Sequence, residues 1–334
     1  MRPSLIALAA AFCCTAVMAP LSAQQPTPIG PSDTVLVLAD SALIVEDLTF
    51  DARSASWYLS SVHERKIVRV GLDGVAHDFV PTGGSGLWAA FALALDQPRN
   101  RLWVASGADA QGAGSPPAEI GRTAVFAFDL ATGALAARYE LTVEPGKTRT
   151  LADLALLSDG TLAVSDSRGG GFYALDPATG AFTPLVPQGT FHSPQAPAEL
   201  AGGKAVLVAD YARGIAKGDR ATGTVTWLTL PDDLYPKGFD GMRLRGTTLI
   251  AVQNGSDPHR VIRMELDSAV TRVVSWKVLA AGAPALVEPT HGVLRGGNFI
   301  YIANSGWDHV GGDGSLTDVA TLRPTVIRRL KLSP

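Results

Sequence analysis

Short runs in which apolar and polar residues alternate recur along this chain, and six of them end on a small or acidic residue. The runs cover residues 57–61, 102–106, 162–166, 206–210, 249–254 and 300–304. Taking their last residues, Ser61, Ser106, Asp166, Asp210, Asn254 and Asn304, as equivalent, the steps are 45, 60, 44, 44 and 50 residues. A period of that length is expected of four-stranded propeller blades. A second repeat keeps the same register. The pattern Asp-x-Ala-Thr-Gly starts at Asp129, Asp176 and Asp219 and ends at Gly133, Gly180 and Gly223, each copy flanked by β-forming residues. Glycine at its end supplies the positive φ of a tight hairpin. Helical patterns are weak, because the apolar runs are short and punctuated by glycine, proline and Asp-Gly. Residues 89–95 resemble a helical turn, yet they occupy the inner-strand position held by 48–50 and 154–156 in the neighbouring repeats.

These spacings predict an all-β, six-bladed β-propeller, with blades over 46–80, 88–141, 151–186, 193–230 and 239–279 and a sixth from Pro289. The last strand, 325–332, is expected to be completed by 34–38 from the other end of the chain, which removes an open seam. Residues 33–334 then form a single domain. In such a fold the first strand of each blade lines the central channel, so residues distant in sequence converge on one axis.

Composition changes the picture at the ends. Residues 1–23 read as a secretory signal peptide, with Arg2, an apolar run and small residues before a cut near Ala23. Residues 24–32 form a proline-rich leader. The apolar run is short for a bilayer span, and no later stretch reaches the roughly 20 apolar residues a membrane helix needs. A soluble periplasmic or secreted protein is expected. Both cysteines, Cys13 and Cys14, lie in the expected signal peptide, which rules out a disulfide or thiolate site in the mature chain. Phe12 before Cys13 speaks against a lipid anchor. Losing Arg2 leaves 27 of the 28 Lys and Arg against 31 Asp and Glu. Such mild acidity, without a basic cluster, argues against nucleic acid. A small molecule is the expected partner. Nothing identifies a protein partner, and a monomer is the default.

The mouths of the six inner strands carry Glu46-Asp47, Trp88, Asp153, Gln195, Asp240 and Thr290-His291. Carboxylates aimed at one axis repel, so they call for a cation, a proton or separation by water. A hard divalent ion is the simplest neutraliser: calcium first, with magnesium, manganese or zinc as alternatives. Ion pairing with nearby bases such as Lys237 is the competing explanation for Glu46 and Asp240. Asp166 and Asp210, at second-strand ends, read as turn formers bonding backbone amides. His291 stands at a strand mouth, where it could orient substrate or donate a proton near neutral pH. His63, Trp88, Asn254, Asn304 and Trp307 are expected around a substrate pocket, although Asn also favours turns and Trp307 could cover the edge of the core. The insert 108–121 reads as a lid or a flexible loop. Gly-x-Ser-x-Gly and His-Glu-x-x-His are absent.

Residues 46–51, 153–167, Gln195 followed by 206–210, and Phe239-Asp240-Gly241-Met242 resemble the senescence-marker/gluconolactonase (regucalcin-like) family across nearly the whole mature chain. The adjacent Glu46-Asp47 pair is similar to the paraoxonase arrangement. The resemblance implies a six-bladed propeller with one divalent cation near the axis, and lactone hydrolysis in several members. Carried over by position, it makes Glu46 a ligand and Asp240 both ligand and general base. Asp153 and Gln195 complete the implied ligand set. Gln195 replaces the usual asparagine, and Ala152-Asp153 stands where the family shows Asn-Asp. Two functions follow as expectations: an exported metal-dependent hydrolase of a lactone or small ester, or a non-catalytic propeller presenting the same face to a ligand or protein. Fold alone does not choose between them.

Overall fold

The alternating runs form the second strand in each of six four-stranded antiparallel sheets. The molecule is a six-bladed β-propeller, seen in a computed structural model that describes residues 32–283 and 286–332. The expected signal peptide and nearly all of the leader lie outside the described residues. The inner strands are Val45–Asp51, Ala89–Asp96, Leu151–Leu156, Pro194–Glu199, Phe239–Arg245 and Gly292–Arg295. In the first five blades the remaining strands follow outward in chain order. The sixth runs from Gly292–Arg295 through Asn298–Ile302 to Val326–Lys331, and its outer place is taken by Asp33–Val37. That closure joins the two ends of the described chain in one sheet, with Asp33 opposite Arg329 and Val37 opposite Val326. The segment 89–95 is strand, as its place in the repeat predicts.

Second strands are buried along most of their length; in Leu162–Asp166 every residue is buried. Each blade is covered on both faces by its neighbours, so the second strand has no solvent side. Outer strands keep one, and three of the four residues in Ala181–Pro184 are exposed. Between blades one and two the core is aromatic, with Tyr58, Trp88, Phe126 and Phe128 packed on Ile67 and Val80. The repeated turn works as its residues suggest: Asp129 Oδ1 accepts from the amides of Ala131 and Thr132 at 3.0 and 3.1 Å, and Asp219 Oδ1 from Ala221 and Thr222 at 3.1 and 2.8 Å. Among the described residues no helix is long and apolar enough to cross a membrane.

Inner strands of neighbouring blades touch around the axis, and all start from the same end of the channel. Their first residues therefore share one mouth, and their last residues share the other.

Candidate functional site

Five of the six inner strands slip register against their second strands near their starts. The irregularities fall between Val45 and Leu48, Ala90 and Leu93, Leu151 and Asp153, Pro194 and Pro197, and Phe239 and Met242. A bulge bends a strand and re-aims a side chain. Glu46, Asp47, Asp153, Gln195 and Asp240 sit within or at the edge of these slips. The sixth inner strand starts only at Gly292, which leaves Thr290 and His291 as irregular backbone over the same mouth.

Glu46, Asp240 and His291, from three blades, offer ligand atoms that all lie within 4.8 Å of one another. One Glu46 carboxylate oxygen accepts from the indole N–H of Trp307. The backbone carbonyl of Glu46 accepts from Thr290 Oγ1 at 2.7 Å and lies 3.1 Å from His291 Nδ1. His291 Nε2 meets Asp153 Oδ1 at 2.7 Å, with both side chains buried. Asp240 Oδ2 accepts from Asn254 Nδ2 at 2.7 Å, and that amide nitrogen also donates to the Pro289 carbonyl. The other half of the same amide, Asn254 Oδ1, is buried with no hydrogen-bond partner among the described residues.

The electrostatics follow from burial. Desolvation, then repulsion from Asp240, pushes the Glu46 carboxyl well above the usual range. Desolvation pushes Asp240 up to about 6; Asp153 and Asp47 add to the rise, while His291 and Asn254 oppose it. Burial alone would lower the pKa of His291, but the charges of Asp153, Asp47 and Asp240 outweigh it and hold the imidazole well above its ordinary value. With acceptors on both ring nitrogens, His291 is arranged as an imidazolium inside an acidic ring. Two buried carboxyls that resist ionisation beside an orphaned amide oxygen make a donor set suited to a hard cation.

Asp153, expected beside the ion, has its Oδ1 committed to His291. Gln195 donates from Nε2 to Ser193 Oγ at 3.0 Å, and its Oε1 has no partner among the described residues. His63 lies with Nδ1 3.3 Å from the Gln111 carbonyl, so it supports the insert within blade two. Trp88 is in the blade-one/blade-two core, donating to Glu119 at 2.7 Å beneath the guanidinium of Arg138. Asn304 holds its own loop, donating to the Pro324 carbonyl and accepting from the Val326 amide, and it borders a cavity of about 250 Å³ with Asp308 and His309. Of the five expected pocket residues, Asn254 and Trp307 contact the acidic centre. Asp166 accepts from the amides of Thr150 and Gly169, and Asp210 from those of His192 and Ala212, as turn formers do.

The insert is held by three other blades. His63 and Arg65 of blade one reach Gln111 and Ala113, Arg168 of blade three pairs with Asp109 at 2.7 Å, and Gly314 of blade six lies directly against the Ala110 carbonyl.

Two residues join the electrostatic neighbourhood without having been singled out by pattern. Tyr211 has its hydroxyl pushed up to about 12 by burial and by Asp240, Glu288 and Glu46. Glu288 is pushed up to about 7 by burial, Asp308 and Asp240. The available signals were positional: Tyr211 directly follows the repeat residue Asp210, and Glu288 lies two residues before Thr290 of the sixth mouth.

No protein-family model and no curated protein matches the sequence. Solved structures do match in fold. A calcium-binding regucalcin from Agrobacterium tumefaciens aligns with TM-score 0.62 at 17% identity, over 90% of this chain and 94% of its own. A luciferin-regenerating enzyme aligns with TM-score 0.61 at 14% identity, over 90% and 95%. A virginiamycin B lyase from Staphylococcus aureus, crystallised with quinupristin, aligns with TM-score 0.59 at 15% identity, over 89% and 83%. At such identities the likeness establishes the shared propeller, and these neighbours differ in what they do.

Proposed function

We propose that this chain is an exported, divalent-cation-dependent hydrolase of a lactone or a similar small ester. The observation that carries the reading is the meeting of Glu46, Asp240 and His291 within 4.8 Å, where burial disfavours charge on both acids. Glu46, Asp240 and Asn254 Oδ1 would hold the cation, with Gln195 Oε1 as a further oxygen. Calcium suits this oxygen-rich set, with magnesium, manganese or zinc as alternatives, and the regucalcin of similar fold is described as calcium-binding. Such an ion, when bound, polarises an ester carbonyl and stabilises the oxyanion.

The side chains supply the proton chemistry. Asp240, with its pKa near 6, takes the proton of the attacking water at its free Oδ1, since Oδ2 is engaged by Asn254. His291, held as imidazolium by Asp153, returns a proton to the leaving alkoxide from Nδ1, giving up its contact with the Glu46 carbonyl. In this reading Asp153 positions His291 and does not touch the ion. Trp307 fixes Glu46 and walls the mouth.

Metal content of the purified protein and hydrolysis of a lactone panel, with and without chelator, test the proposal. Turnover that survives chelation, or full activity in Asp240→Ala, would sink it. The binding-propeller alternative is favoured by one observation: Glu46, Asp153 and Asp240 each have an internal partner, in Trp307, His291 and Asn254. A tightly bound ion with no turnover on any ester would select it. Export is checked by the mass of the protein recovered from the periplasm or medium, expected to begin at Gln24.

A further inference from the structure

The opposite end of the channel holds a second pocket, which shares no lining residue with the acidic mouth. It has a volume of about 310 Å³ and is walled by the later residues of the inner strands, among them Thr49, Leu93, Leu154, Pro197, Leu244 and Val293, one from each blade. Because every inner strand contributes its far end, this wall is a product of the propeller closure, and most of the side chains along it are aliphatic.

Two charged residues line it, Arg243 and Glu199. Glu199 is satisfied at the rim, accepting from the amide and hydroxyl of Ser158 at 2.8 and 3.0 Å and lying 3.6 Å from Arg220. Arg243 is different. Its Nη1 donates to its neighbour's carbonyl, that of Met242, at 2.8 Å, and its Nη2 stands 3.5 Å from Asp47 Oδ1. Asp47 is itself shared, since Oδ1 accepts from the Leu48 amide and Oδ2 from that of Leu93. A guanidinium has five N–H groups in a fork that matches a carboxylate. Here two contacts engage it, one of them long, and no other partner is found among the described residues. The side chain is 27% exposed, against 1% for Asp47, so its unengaged face borders the pocket while Asp47 lies behind it.

We infer that this end of the channel binds a small organic anion: a carboxylate head on Arg243 and a short apolar tail along the aliphatic side chains of the strand ends. The anion adds a second, bidentate partner to a guanidinium that Asp47 holds only loosely. Binding here needs neither the cation nor the chemistry proposed for the other mouth.

Calorimetric titration of the purified protein in chelator with hexanoate, hexanol and acetate tests this, since the three probes separate head from tail. Hexanoate is expected to bind at least tenfold more tightly than either of the others. Arg243→Met combined with Asp47→Asn, which leaves neither charge alone, should weaken hexanoate at least tenfold, whereas Arg243→Lys should lose less. Ala155→Trp fills the pocket from the wall without touching the ion pair; it should abolish hexanoate binding and leave cation stoichiometry unchanged. Hexanol binding as tightly as hexanoate, hexanoate binding unchanged by either the double variant or Ala155→Trp, or no hexanoate binding up to its solubility would each overturn the proposal.

Discussion

Asp240 and His291 show how much of this site is decided by which charges face each other. Replacing Asp240 by Asn keeps an acceptor for Asn254 and removes one of the buried acids around His291. The metal-free variant should be more stable than its parent at pH 7 by about 1–3 kcal/mol, read from denaturant midpoints, while cation affinity and turnover are lost. His291→Gln does the reverse. It withdraws the positive charge from Asp153 and its neighbours and should cost about 3–5 kcal/mol at neutral pH. The pH profile follows from the same groups. Glu46 and Asp240 have folded pKa values above their unfolded ones, to about 6 for Asp240, so their contribution is present below about pH 4 and is lost as pH rises through the folded values. His291 is also raised; its contribution is full below about 6.5 and lost as pH climbs through its elevated value. Chelated protein should therefore melt at falling temperature from mildly acid to alkaline pH, and saturating cation should flatten that slope. A flat profile in chelator would contradict this account of the charges.

At the scale of the element, identical turns are unequal once packed. Gly133 and Gly223 end two copies of the same pattern with φ of 72° and 70°, so a Cβ costs roughly 1–2 kcal/mol at either in backbone strain. Their surroundings differ. A Cβ at Gly133 would stand 2.5 Å from the Phe79 carbonyl oxygen, whereas at Gly223 the nearest atom is 3.5 Å away. Gly133→Ala should lower the melting temperature clearly more than Gly223→Ala; equal shifts would mean the turn, not its neighbour, sets the cost. The insert shows the same dependence on tertiary contact. By composition 108–121 reads equally as lid or loose loop, and what holds it in place is contact with Arg65, Arg168 and Gly314, each contributed by a different blade.

For the whole molecule the decisive feature is closure. Asp33–Val37 completes the sixth sheet, Asp33 pairs with Arg329 at 2.6 Å, and Leu38 beyond it is 1% exposed and packs with Leu43 and Ile327. A chain beginning at Ala39 exposes the edge of Val326–Lys331 and loses the burial of Leu38 alone, worth about 1.5–3 kcal/mol. It should melt several degrees lower and associate through the freed edge, seen by thermal denaturation and size exclusion. A truncated protein as stable and as monodisperse as the longer one would show that the strand is an ornament on an already closed ring.

Period, blade number and closure were legible in the sequence because each depends on local strand and turn chemistry repeated at a regular step. Glu46, Asp153, Gln195 and Asp240 could be placed at one mouth for the same reason. Their partners could not. That Asp153 holds His291, that Trp88 belongs to the core, and that Asn254 leaves one amide oxygen orphaned all depend on the direction of side chains at strand ends and at slips of one residue. Strand periodicity alternates faces along regular pairing and carries no information about where pairing slips. The repeat therefore determined which residues approach the axis, and the tertiary structure decided which of them meet, because contact distance and burial set the charges.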